Sequence, residues 1–155
     1  MKSAFPKTIL LLLIPAAICS FYAFNKISAK DNTGADKEKG IIFIEQDWNK
    51  ALQKAGKEKK LVFLDIYATW CGPCKMLKKN TFTNEKVGKF FNANFVNVTI
   101  DGERGIGPEL ATRFSLEGYP TLIVTDSNGQ PLLYTVGYLE PDYLLEFAKE
   151  ALLKK

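Results

Sequence analysis

A chain of 155 residues, 46% of them hydrophobic, is long enough for one compact domain with a real core and a short appendage, and too short for two. The formal charge of +4 depends on Lys2, Lys7 and Lys26 near the N-terminus; from residue 30 onward, the remaining 18 of the 21 basic residues face all 17 acidic ones. That near balance excludes an electrostatic case for nucleic acid or an anionic surface as partner.

Residues 1–29 have the layout of an export signal: Lys2 and Lys7, an apolar run over residues 9–18, then smaller and mixed residues. Ten apolar residues match a signal core and fall short of a membrane span, which needs about 20. Cleavage after Ala29 is the expectation, with an uncleaved membrane anchor as the alternative. Cys19 reads as an apolar member of the run, because Ile18 before it is too large for a lipoprotein signal. Residues 30–40 are charged, small and without apolar periodicity, as expected of a flexible linker. The domain is expected over residues 41–155.

Ile41-Ile42-Phe43-Ile44 is a short strand candidate. Asp47 then caps a helix with Trp48, Ala51, Leu52 and Ala55 on one face, closed by Gly56. Residues 61–67 form a nearly continuous apolar run, the pattern of a strand covered on both faces. Asp65 interrupts it, and a carboxyl in a buried strand is expected to have a raised pKa. Its functional reading is a proton acceptor for Cys74; the alternatives are a hydrogen-bonded core group or a side chain at the strand end facing water.

Trp70-Cys71-Gly72-Pro73-Cys74-Lys75 follows where the strand gives way to a helix. Two thiols separated by two residues at a helix start can close a small disulfide, and the unpaired N–H groups there stabilise a thiolate on the first. Cys71 is therefore the expected attacking sulfur. Cys74, expected to be the less exposed, would resolve the mixed disulfide. Pro73 is tolerated in the first helical turn, and Gly72 admits another backbone. A structural disulfide is a weaker reading, since so short a loop gains little from closure. Zinc is weaker still, because it needs four ligands and the chain has three cysteines and no histidine. No metal or other cofactor is expected.

Asn84 is expected to cap a helix carrying Val87, Phe90 and Phe91, and residues 95–100 form a second central strand ending at Asp101. Residues 102–107 lack the spacing of a phosphate-binding loop and read as an ordinary turn. Pro108 opens a short helix. Tyr119-Pro120 precedes a strand over residues 121–125, and Asp126-Ser127-Asn128-Gly129 turns it back into residues 132–136. Gly137 marks a bulge or a close backbone approach, and Glu140-Pro141-Asp142 opens the last helix. The order strand, helix, strand, helix, strand, helix, strand, strand, helix implies an α/β fold: a central mixed β-sheet flanked by helices on both faces.

The cysteine motif, Asp65 six residues before Cys71, Tyr119-Pro120-Thr121 and Val136-Gly137 together resemble the thioredoxin family over residues 41–153. The tract from Cys74-Lys75 through Thr81-Phe82-Thr83-Asn84 and Val87 is further similar to the C-terminal thioredoxin-like domain of DsbD. The resemblance implies a thioredoxin fold with Cys71, Cys74 and Asp65 as catalytic residues. It makes Pro120 a cis-proline facing the cysteines, pairs the Tyr119 backbone with an extended substrate, and gives Trp70 a place in the partner surface. It also implies an exported, periplasmic reductase of disulfide-bearing proteins, fed by a membrane electron donor of the DsbD kind. Oxidase, isomerase and a non-catalytic chaperone or adaptor are the alternatives, and a monomer is the default. One departure stands out: the lysine that usually accompanies the buried carboxylate falls at Asn97, which should leave the Asp65 pKa higher.

Overall fold

The computed structural model describes Met1 and residues 40–155. The expected signal or anchor, Cys19 and nearly all of the linker lie outside the described residues. Among those described, no helix is long and apolar enough to cross a membrane.

Five strands form one sheet in the order β1-β3-β2-β4-β5: β1 (Phe43–Glu45), β2 (Leu61–Tyr67), β3 (Phe95–Asp101), β4 (Thr121–Thr125) and β5 (Pro131–Val136). β1 and β2 run parallel to β3, while β4 is antiparallel to both β2 and β5. Alternation along β2 and β3 divides the core in two. On one face, Val62, Leu64, Ile66, Val96, Val98 and Ile100 meet Trp48, Ala51 and Ala55 of α1 (Trp48–Glu58) and Leu110 of α4 (Gly107–Arg113). On the other, Leu61, Phe63 and Phe95 meet Leu77, Val87 and Phe91, together with Leu144 and Ala148 of α5 (Pro141–Leu153). The crossover from β2 to β3 holds two helices, α2 (Gly72–Met76) and α3 (Glu85–Asn94). Between them Leu77–Thr81 winds as one π-helical turn.

Asp47 and Asn84 cap α1 and α3 as expected, each accepting from backbone N–H groups of the first turn. Gly56 does not close α1. The helix continues to Glu58, and Lys59 takes the left-handed cap position at φ 54°, with its N–H and that of Lys60 both donating to the Ala55 carbonyl. The first strand is shifted: Ile41 donates instead to the Phe82 carbonyl and Ile42 to the Asn92 side chain, so pairing with β3 starts at Phe43. The sheet's irregularity lies between Val124 and Thr125, not at Gly137. Gly137 has φ +102° with open space around it, so its backbone conformation is the reason for glycine there.

Candidate active site

The site lies at the C-terminal ends of the parallel strands β2 and β3. β2 ends at Tyr67, and a turn closed by the Cys71 N–H on the Ala68 carbonyl (3.1 Å) delivers the chain to α2. Cys71 is the N-cap of α2, in extended backbone conformation, and its Sγ accepts the Cys74 N–H at 3.1 Å. Pro73 sits in the first turn, where its missing N–H breaks no helical bond. Cys71 and Cys74 are joined as a disulfide with Cα atoms 5.3 Å apart.

The expected order of exposure is reversed: Cys71 is 2% exposed and Cys74 8%. Both sulfurs cluster with Ala68, Tyr67 and Tyr119, but Cys74 alone of the two lines a cavity of about 420 Å³. Asp65, Thr99, Phe82, Lys75 and Lys78 line the same cavity.

Asp65 is buried, and Thr99 Oγ1 donates to its Oδ2 at 2.8 Å. Its Oδ1 has no hydrogen-bond partner among the described residues. Burial pushes the carboxyl up to about 7; the Thr99 hydrogen bond and the Lys78 charge oppose that rise, and Glu45 adds to it. Asn97 gives Asp65 no cation, as expected: its Nδ2 donates to the Ile42 carbonyl (3.3 Å) and to Asn92 Oδ1 (3.1 Å). A cation is nevertheless present, from the π-helical turn instead of the strand.

The Tyr119-Pro120 peptide is cis. Pro120 is held at its carbonyl by the Gly137 N–H (2.8 Å), and Thr121 Oγ1 donates to the Gly118 carbonyl (2.7 Å). The Tyr119 ring meets the Trp70 indole edge to face, 6.0 Å between centroids. Trp70 is 67% exposed, so it is not a core aromatic. Gly72 and Pro73 are exposed beside it. The eight expected site residues therefore divide between two places: Asp65 and Cys74 on the cavity side, and Trp70, Gly72, Pro73, Tyr119 and Pro120 on the outer side, with Cys71 packed among them.

Three functional candidates were not visible in the sequence. Glu103 accepts the Trp70 indole N–H. At Gly102 a Cβ would lie 2.6 Å from the Tyr119 ring, so the turn over residues 102–107 seats that ring. Lys78 shares the cavity with Asp65. The one available signal for the first two was that their turn leaves the end of a strand parallel to the one before the cysteines. The Tyr119 phenol is raised by burial, then by Glu103 and Asp101; that of Tyr67 is raised by burial, then by Asp101, Glu45 and Asp65. Both therefore stay neutral through physiological pH and act as hydrogen-bonding or packing groups.

This geometry can form, open and re-form a disulfide next to a buried carboxyl, and the relatives agree with it. A thioredoxin H-type of Fagopyrum esculentum is 29% identical over 106 residues, covering 68% of this chain and 85% of that protein. The thiol:disulfide interchange protein DsbD of Actinobacillus pleuropneumoniae is 32% identical over 94 residues, covering 59% of this chain and only 16% of DsbD. Among solved structures, a Bacteroides thetaiotaomicron protein proposed as a disulphide-isomerase superposes with a TM-score of 0.67 at 38% identity, covering 76% of this chain and 97% of that one. The family described as a thioredoxin-like domain matches residues 48–152, and the chain belongs to it: a thioredoxin-fold protein of thiol-disulfide exchange.

Proposed function

We propose that this protein is an exported thiol-disulfide oxidoreductase that reduces protein disulfides. The observation that carries this reading is the Cys71–Cys74 pair at the N-cap of α2, enclosing Gly72-Pro73 and backed by buried Asp65. In the reduced protein the Cys71 thiolate attacks a substrate disulfide, forming a mixed disulfide and releasing one substrate thiolate. Asp65 takes the Cys74 proton; the Cys74 thiolate then attacks Cys71 Sγ, closing the internal disulfide and releasing the second substrate thiolate. Two electrons pass to the substrate. Trp70, Tyr119 and Pro120, with Gly72 and Pro73, hold the extended segment around the substrate cysteine.

The Gly-Pro dipeptide and the thioredoxin relatives support the reducing direction, since thioredoxin sits near −270 mV and the oxidant DsbA near −120 mV. The export layout of residues 1–29 supports a periplasmic site of action, as a soluble monomer or tethered to the inner membrane. A reductant in an oxidising compartment needs a donor, and the likeness to part of DsbD supports a membrane conductor of that kind. Isomerase action is the second reading, favoured by the Bacteroides thetaiotaomicron relative. Insulin reduction by the full chain tests the first: turnover is expected with the native cysteines and none after Cys71→Ser. Rescue of scrambled ribonuclease without insulin turnover would favour the second.

A further inference from the structure

A buried carboxyl that must accept a proton from a thiol needs its charged form stabilised by something other than water. The groups around Asp65 can be named from every element packed on the cavity. β1 offers Glu45, β2 offers Tyr67, and Asp101 stands at the end of β3, where Arg104 Nε approaches its Oδ2 at 3.7 Å. None of these places a positive charge on the cavity wall. Thr99 satisfies one carboxylate oxygen and leaves Oδ1 unpartnered, and Asn97 is neutral with its amide committed to Ile42 and Asn92. The cations lining the cavity are Lys75 and Lys78.

These two lysines are not equivalent. Lys78 follows Cys74 by four residues, and residues four apart share a helix face, whereas Lys75 is the immediate neighbour and projects about 100° away. The change of winding also separates them. Lys75 belongs to α2, while Lys78 rides the π-helical turn that begins at Leu77. Such turns occur often at functional sites. The electrostatic balance agrees with this placement, since the attraction that lowers the Asp65 proton affinity comes from Lys78.

We propose that Lys78, carried by the π-helical turn, is the cationic positioning residue that keeps Asp65 available as proton acceptor for Cys74. The inference rests on the reductase reading for its consequence, and the Asp65 titration tests it independently of that reading. In the step concerned, Cys74–SH and the Asp65 carboxylate become Cys74–S⁻ and the Asp65 carboxylic acid. The thiolate attacks Cys71 Sγ, the mixed disulfide breaks, and the departing substrate thiolate takes up a proton. Lys78 touches none of the reacting atoms. It acts by holding the carboxylate charged near neutral pH. Because it is exposed at the cavity rim, its influence is screened by salt.

The test is the titration of the Asp65 carboxyl carbon by NMR in the oxidised full chain, paired with the pH profile of insulin reduction. The native midpoint is expected near 7. Lys78→Met is expected to raise it by about half a unit to one unit, Lys78→Arg to restore it, and Lys75→Met to move it far less. At pH 6 Lys78→Met should reduce insulin about threefold to tenfold more slowly, with the difference vanishing above about pH 9 and shrinking in high salt. An unchanged Asp65 midpoint in Lys78→Met, an arginine variant that behaves like methionine, or an equal shift in Lys75→Met would overturn the assignment. Absence of insulin turnover in the native protein would instead overturn the reductase reading, while the Asp65 titration still reads Lys78 directly.

Discussion

Trp70 donates its indole N–H to both carboxylate oxygens of Glu103, at 3.0 and 3.1 Å. One donor is shared by two acceptors, so the ring is held against Tyr119 although most of it faces solvent. Glu103→Ala should free the indole and raise KM for a protein substrate about twofold to fivefold, with kcat changing less. Glu103→Gln, which keeps an acceptor, should stay close to native. Steady-state kinetics and the indole emission spectrum check both, and an unchanged KM in Glu103→Ala would count against a role for Trp70 in holding substrate.

Gly102 makes the same surface sensitive to one methyl group. A Cβ there would lie 2.6 Å from the Tyr119 ring and 2.9 Å from Ile66 Cγ2, so the ring must swing away. Gly102→Ala should lower kcat/KM for insulin on the order of tenfold, as misplacement of a positioning group does. Reduction of the small disulfide DTNB should change little, because it needs no extended binding surface.

Gly88 and Gly40 interlock at the start of the described domain. A Cβ on Gly88 would lie 2.2 Å from the Gly40 carbonyl group, and backbone cannot yield there as a side-chain tip can. Gly88→Ala should therefore unseat the entry segment, which the Asn92 amide also clamps through the Gly40 carbonyl at 3.0 Å. The expected loss is about 1–3 kcal/mol in denaturant unfolding.

Asp65 gives a pH dependence of stability with a definite sign. Its carboxyl is raised in the folded state, so the folded protein binds the proton more tightly than the unfolded chain. The oxidised protein is accordingly unaffected by this group below about pH 4 and loses stability as pH rises from there to about 7. Asp65→Asn removes that loss: it should stabilise the oxidised protein at pH 8 by about 2–4 kcal/mol and by far less at pH 4. The same variant should slow reduction of substrate by the dithiol. A native protein equally stable at both pH values relative to Asp65→Asn would show that the carboxyl is not buried as described.

Features written in neighbouring residues were legible in the sequence. The Asp47 and Asn84 caps, the Asp126 turn, the cysteine pair and the mixed sheet all follow from contacts or periodicities within a few positions. Gly56 misled because a glycine ends a helix only if the chain takes the left-handed turn there, and here Lys59 takes it. The reversed exposure of the two cysteines came from a cavity walled by β1, β2, β3 and the π-helical turn, which no single segment specifies. Glu103 lies 33 residues from Trp70, and Lys78 lines the Asp65 cavity from a different element of the fold. Such pairings are set by tertiary packing, beyond the reach of local pattern.

The most direct test of the reductase account is the equilibrium reduction potential of the Cys71/Cys74 pair in the full chain, measured against defined glutathione and dithiothreitol buffers. A value near the thioredoxin end, about −250 mV or lower, is expected, as an electron-delivering protein in an oxidising compartment requires. A value of about −120 to −180 mV would contradict it, because the pair would then draw electrons from substrate thiols and act as an oxidant or isomerase.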